Sequence, residues 1–464
     1  MKKILTLLLI TSLSACRFGD TNIDPVSLTT SSVEELLPSA ISQSIRNINS
    51  IGGRVTGIII QHYEGVDAQP QAYDQYLIDE RTLDVFWKSG LYAGAMKDCR
   101  LIIEQAAQSG QYRYSGIAKI LLAHNLGMAT AYWGDIPCSE AFRAPSITQP
   151  VYDSQEYIYH QIQDLLISAI AELESEEATE DLSADLIFGG YAQRWIATAH
   201  AMRARYYLHL SKRNTAAAEL ALAILQEGAF KELSEQPDFY YEDNRNEANP
   251  FALFQVERPG QMMLGRYLVN LMETTADPRL PRLGIKKGDS YELYQSDNED
   301  LYWSQNDTAI PLISLTEIQF IEAEALLRLG RKDEAELSFK KAVDSHFKQM
   351  AMDTNETEGF IASYIHFDDI HLFEEQLEKL ITQKYIALFG QASHEAWNDY
   401  RRTNYPRLMP PDAVNSSFNP SLIIPRRYLY PLSERSTNAI QYELAIQRQD
   451  GHFMDVDTWA FKDD

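Results

Sequence analysis

Residues 323–343 read AEALLRLGRKDEAELSFKKAV, and this stretch leaves the chain little freedom of fold. A first helical run closes at Gly330, since glycine readily takes the left-handed conformation that ends a helix. Glu334-Ala335 opens a second run, with Phe339 and Ala342 at helical spacing behind it. Small residues let two such helices approach, and the large ones fill the gap to the next pair. A pair of this size cannot bury its apolar stripe alone, so it must stack on neighbours. Residues 197–225 (ATAHAMRARYYLHLSKRNTAAAELALAIL) repeat the scheme with Ala218, Leu222 and Leu225, and AYWGDIPCSEAF at 131–142 is a third, looser case.

This grammar resembles the tetratricopeptide repeat. Three instances predict a mainly α fold, in which irregular tetratricopeptide-like hairpins form a scaffold with long loop insertions and few short strands. Helices are expected near 33–60, 79–108, 115–131, 153–174, 189–210, 214–227, 314–329, 332–349 and 373–390, the first capped by Thr30, Ser31 or Ser32. Short accessory strands are expected around Phe251–Val256 and Leu422–Ile424. Residues 229–311, rich in Pro, Gly, Asn and Tyr, and 401–436, with Pro406, Pro410, Pro411, Pro420, Pro425 and Pro431, interrupt the helices. Irregular segments of this length usually carry function.

The N-terminus carries a different signal. Met1-Lys2-Lys3 is basic, Ile4 to Leu13 is a short apolar run, and Leu13-Ser14-Ala15 leads straight into Cys16. This order is that of a secretory signal, and the run falls far short of the roughly 20 residues a membrane-spanning helix needs. Leu13 to Cys16 resembles the lipobox of bacterial lipoproteins, in which cleavage precedes a cysteine that becomes the lipid-bearing first residue. Residues 1–15 are therefore read as signal peptide and 16–32 as a lipidated tether. Acyl chains such as palmitate on Cys16 would be the only anchor.

Charge narrows the partners. Forty-one basic against 66 acidic residues give a formal net charge of −25, which repels nucleic acid and anionic lipid. Besides Cys16 only Cys99 and Cys138 remain; they can bond only if the fold brings them together, and Cys99 sits in a helical pattern that suits a small buried side chain. There is no nucleophile elbow, phosphate loop or zincin pattern, for Asn398 stands where the second histidine after His394-Glu395 would be. Asp67, Asp74, Asp79 and Asp84 could pair as glycosidase carboxylates, but among so many acids chance pairs abound. His366 to His371 (HFDDIH) matches no common metal spacing and reads as a solvated turn. Glu172 to Asp185 carries seven carboxylates and reads as a solvated interhelical loop, with calcium uptake as its alternative chemistry. No other cofactor is implied.

Binding is better supported than catalysis. Sugars offer apolar ring faces edged by hydroxyls, so a protein grips them with aromatic planes beside amide, carboxylate or guanidinium groups. Two insertions hold that mixture, one near 60–80 with Tyr63, Asp67, Gln69, Tyr73 and Tyr76, the other within 229–311 with Tyr291, Tyr294, Asn298, Tyr302 and Trp303. Trp303 is the expected stacking anchor.

Several landmarks, in order along the chain, resemble the SusD/RagB family of outer-membrane nutrient-binding lipoproteins of Bacteroidetes. They are Asp20 to Pro25 after the lipobox, Tyr132-Trp133-Gly134-Asp135-Ile136-Pro137, Pro311 to Ala325, Gln383 to Leu388, Glu395 to Thr403, and Ile424 to Tyr428 with Tyr430-Pro431, Glu434 and Asn438. The resemblance implies one SusD-like helical domain over 33–464. It implies a non-catalytic receptor, lipid-anchored in the outer membrane and facing the cell surface, that captures an oligosaccharide or other polymeric nutrient and delivers it to a TonB-dependent transporter. A protein–protein scaffold and a peptide-binding receptor stay open beside that reading.

Overall fold

The computed structural model describes residues 31–295, 298, 300–368 and 370–463. The signal peptide, Cys16 and most of the tether lie outside the described residues. The first helix, Val33–Asn49, starts at Ser32. Its Oγ accepts from the Glu35 N–H at 3.4 Å, and the Glu35 carboxylate accepts from the Ser32 N–H at 3.0 Å, a reciprocal cap. The expected 33–60 helix breaks at Ser50, and Ile51–Ile59 follows in a new direction. The expected 79–108 helix begins only at Phe86, and Gly94 leaves helical geometry (φ −96°, ψ −114°), so Phe86–Met96 joins Lys97–Ser109 across a kink.

Most of the scaffold is paired helices. Tyr112–Trp133 packs against Gln155–Leu173, Ala192–His209 against Ala217–Gly228, and Leu315–Arg328 against Lys332–Gln349. The hairpin at 323–343 closes as its sequence demands. Gly330 takes φ +73°, its N–H donates to the Leu327 carbonyl at 3.0 Å, and the Arg331 N–H donates to Leu326 at 2.9 Å. Its apolar side buries Phe320, Phe339, Phe367 and Leu380 in a smaller core beside the main one.

Other expectations need correction. Residues 131–142 do not turn into a second helix. Gly134 and three nearby prolines (Pro137, Pro145, Pro150) forbid it; Ile136–Pro137 pairs with Tyr152–Asp153 instead, and the partner helix waits until Gln155. The apolar run Phe251–Val256 is helical, not a strand. Asn249 caps it by accepting from the Phe251 N–H at 3.0 Å, and Pro250 suits a first helical position. Leu422–Ile424 forms no strand with the described residues; the Leu422 N–H donates to the Asn419 carbonyl at 3.0 Å, and Leu422 has φ +55°. Cys99 and Cys138 are both buried free thiols.

Helix Ser393–Thr403 is unusual because most of its charged side chains point inward. Glu395 accepts from His209 Nε2 at 2.6 Å and lies 3.9 Å from Arg205. Arg205 in turn forks onto both oxygens of Glu317 at 2.6 Å each. Asp399 meets Lys384 at 2.9 Å and Arg402 at 2.6 Å, and Arg402 reaches across to Glu324. Arg401 lies over the Trp397 ring at 3.7 Å and donates to the carbonyls of Ala131 and Arg426 at 2.6 and 2.9 Å. Five other parts of the chain, at Ala131, Arg205–His209, Glu324, Lys384 and Arg426, are tied to one helix in this way.

Acid stability follows from these burials. Desolvation pushes His62 down to about 3 and His394 down to about 4, so both stay neutral in the fold. An unfolded histidine takes its proton near pH 6.5. Below that pH the unfolded chain binds protons that the folded chain refuses, and stability falls by up to about 1.4 kcal/mol per pH unit for each histidine. Against the desolvation of burial, His209 and Arg205 hold Glu395 well below the carboxylate range, so a further loss sets in below about pH 4.5. Urea unfolding at pH 7.5, 6.0 and 5.0 should show a progressive drop. Equal stabilities at the three values would contradict neutral, buried imidazoles.

Candidate ligand-binding face

The two aromatic insertions, remote in sequence, meet on one small antiparallel sheet. Tyr63–Gly65 pairs with Met262–Leu264, which pairs through Met263 with Glu292 of Ser290–Glu292, and that strand pairs with Ile285–Lys287. Strands of three residues have little stability of their own. Packing holds them. The Tyr63 ring stacks on Phe251 (4.9 Å, 27°) and meets Phe389 edge-on at 5.2 Å. Next to it, His62 Nε2 faces the Tyr385 carbonyl at 2.8 Å and Nδ1 faces Ser393 Oγ at 3.0 Å. A neutral ring with its proton on Nε2 satisfies both.

Several of the expected ligand residues are thereby committed to the interior. Tyr63 is 3% exposed and Tyr76 is 2% exposed; Tyr73 is also buried. Trp303, the expected stacking anchor, is 2% exposed and presents no face to solvent. It lies on Gly390, where φ is +74° and a Cβ would stand 2.4 Å from the indole. A helix-ending turn without a side chain leaves a slot, and the indole fills it. Tyr302 is half-buried, edge-on to Trp303 at 4.8 Å. Tyr291 is buried and donates to Glu273 Oε1 at 2.9 Å.

The remaining candidates border solvent. Asp67 and Gln69 are exposed, while Tyr294 and Asn298 are half-buried and line a polar cavity of about 540 Å³ with Asp243, Gln305 and Asn306. Asn306 Nδ2 donates to Asp243 Oδ1 at 2.9 Å, which fixes two of these side chains. Tyr240 joins them from the same insertion and was not among the residues singled out by sequence. It is 72% exposed while Tyr241 is buried, the alternation expected where an extended strand, Asp238–Phe239, runs on into two tyrosines. Tyr240 is close enough to Tyr302 to help raise that phenol to about 12, behind the larger effects of burial and Asp238.

A smaller cleft of about 150 Å³ lies along the other edge, lined by Gln61, Glu64, Asp74, Tyr76, Arg266 and Tyr267. Arg266 pairs with Glu64 at 2.7 Å. Burial raises Asp74 to about 6, although the Gly65 N–H donates to it at 3.3 Å. The Tyr73 and Tyr76 hydroxyls have no hydrogen-bond partner among the described residues. Gln61, Ala68 and Tyr76 all have positive φ (60°, 51° and 54°), a concentration of backbone strain of the kind found at binding sites. Gln61 and Tyr267 were not singled out by sequence either; the strand Met262–Leu264 that carries the chain into Tyr267 has no distinguishing composition.

The acidic groups weighed as chemistry have other work. Asp79 accepts from the Arg81 N–H at 2.8 Å, and Asp84 accepts from the Ser433 N–H at 2.9 Å. Asp185 gathers the N–H groups of Ile187, Phe188 and Gly190 and the Trp195 indole, and Glu172 pairs with Lys119 at 2.5 Å. Among the described residues no group of three His, Cys, Asp or Glu side chains is placed to hold a metal ion.

A family profile described as "Starch-binding associating with outer membrane" matches residues 24–431. The chain belongs to the SusD-like family. Among solved structures, this SusD-like chain resembles a chitin-binding protein at 22% identity, over 93% of this chain and 100% of that one, with a TM-score of 0.76. A SusD/RagB family protein from Bacteroides thetaiotaomicron gives 22% identity over 94% and 100%, with a TM-score of 0.76. A Bacteroidetes SusD-like protein gives 20% over 93% and 100%, with 0.79. At these identities the likeness is one of fold. Comparison with curated proteins by sequence returns no match.

The burial of Trp303 makes a clear prediction. Trp303→Ala should cost about 3–5 kcal/mol of stability, the usual cost of emptying a large aromatic site in a core. Urea denaturation measures it, and a loss below about 1 kcal/mol would contradict the packing on Gly390.

Proposed function

We propose that this SusD-like protein is a non-catalytic receptor that captures an oligosaccharide at the outer membrane and passes it to a TonB-dependent transporter. The observation that carries the reading is the joining of two ring-bearing insertions by one sheet. Tyr267 lines one cleft with Arg266, Tyr294 lines the other with Asn298, Gln305 and Asp243, and exposed Tyr240 belongs to the second insertion, so planes and hydrogen-bonding groups that a sugar needs are present. Family membership supports both the ligand class and the membrane. Rigid support matters because loops already ordered lose little freedom on binding.

Attachment would come from lipid on Cys16, with the protein facing outward. No helix among the described residues is long and apolar enough to cross a membrane. Cys16→Ala should move the protein from the membrane fraction to the soluble fraction; continued sedimentation with membranes would reject the anchor.

Glycan-array screening followed by calorimetry tests capture. The expected result is binding of an oligosaccharide without release of new reducing ends. Tyr240→Ala should then weaken affinity about tenfold, the loss of one ring contact of roughly 1–1.5 kcal/mol, with melting temperature unchanged. Binding of a peptide but no glycan, or steady cleavage of the bound glycan, would overturn the proposal.

A further inference from the structure

A third cavity, of about 630 Å³, shares no lining residue with the two clefts above. It opens between helices Phe86–Met96 and Lys97–Ser109 and the irregular segment 137–150. Its size is that of a small-molecule site. One wall is aromatic. Tyr92 and Phe142 lie nearly parallel (25°) with ring centroids 5.9 Å apart, and Trp87 backs Tyr92 at 4.7 Å. The Tyr92 hydroxyl donates to the Pro137 carbonyl at 2.7 Å, which pins its ring. Phe142 holds φ +66°, a conformation that costs an L-residue energy and that here carries its ring to the wall.

The cavity also carries cationic side chains, on a chain whose net charge is −25. Lys88, Lys97 and Arg100 all line it. Lys88 is paired with Asp84 at 2.6 Å, but neither Lys97 nor Arg100 makes an ion pair among the described residues. Arg100 hydrogen-bonds the Cys138 thiol, while its Nε is buried without a partner. Two carboxylates also border the cavity. Glu434 is taken by the Tyr152 hydroxyl at 2.8 Å, and exposed Glu104 stands one turn beyond Arg100. A guanidinium that lines the cavity without an ion pair, together with stacked rings, matches a ligand with an apolar ring face and a carboxylate on it.

We propose that this cavity is a second carbohydrate site, selective for uronic-acid residues. The sugar ring would lie against Tyr92 and Phe142, and its carboxylate would accept from Arg100, with Lys97 adding charge at the mouth. This goes beyond capture at the sheet face, which needs no acidic group on the glycan.

The test is calorimetry on the full-length protein with oligogalacturonate, alginate and hyaluronan oligosaccharides, each paired with its carboxyl-reduced form. At least one acidic oligosaccharide should bind, and its reduced form should bind at least tenfold more weakly. Arg100→Gln should weaken the acidic ligand at least tenfold, and Phe142→Ala should do the same. Arg100→Lys should recover part of the Arg100→Gln loss, and thermal melts of all three variants establish that they fold. If Arg100→Gln does not fold, Lys97→Gln replaces it, with a loss of at least threefold expected. No binding across the panel, equal binding of the reduced forms, or affinity unmoved by the charge-removing variant would overturn the proposal.

Discussion

The structure depends on a helix that turns its charges inward. Ser393–Thr403 places Glu395, Asp399, Arg401 and Arg402 where solvent does not reach, and each finds its partner on a different element. Buried ions lose solvation that their pairing only partly returns, so such networks add little net stability. Their effect is on choice among packings. Any arrangement that moved Arg205 from Glu317, or Glu324 from Arg402, would break a buried ion pair, and breaking such a pair costs about 3–5 kcal/mol. The helix hairpins, whose alanine-rich stripes could slide past one another, are thereby held in one register.

The same helix defines the candidate binding face through the turn that precedes it. Ser393 hydrogen-bonds His62 at the foot of the first insertion. Gly390 receives Trp303 from the second, and its carbonyl accepts from Asn49 at 2.8 Å. Phe389 meets the Tyr63 ring. Both insertions therefore rest on residues 389–393, and the sheet between them completes a single clamp. The aromatic side chains divide accordingly. Tyr63 and Trp303 hold the loops to the scaffold, which leaves Tyr240, Tyr267 and Tyr294 at the surface.

Much of this was legible in the sequence. Helical periodicity located the scaffold helices because amphipathic spacing is a local property, and Gly330 marked its turn because only the backbone was involved. The boundaries that failed depended on something local patterns do not carry. FALFQV reads equally as a buried strand or a buried helix, and Asn249-Pro250 is the deciding signal. Ser393–Thr403 was visible as a family landmark but not as a helix, since a run of charges reads as solvated until its partners are known. The candidate site suffered most. Composition pointed to two insertions that the fold joins in one sheet, yet it could not separate rings that anchor a loop from rings that the loop displays. That distinction rests on long-range contacts such as Trp303 on Gly390, and only the alternation at Tyr240-Tyr241 hinted at it.

One turn, at residues 389–393, clamps both insertions into a unit. Hydrogen–deuterium exchange on Gly390→Ala tests it directly, with the hairpin Leu315–Gln349 as internal reference. The added methyl would press on the indole of Trp303 at a residue with positive φ. Amides of Tyr63–Gly65 and of Ser290–Glu292 should lose protection together while the reference hairpin is unchanged. Faster exchange around Trp303 alone, with the first insertion as protected as before, would contradict it.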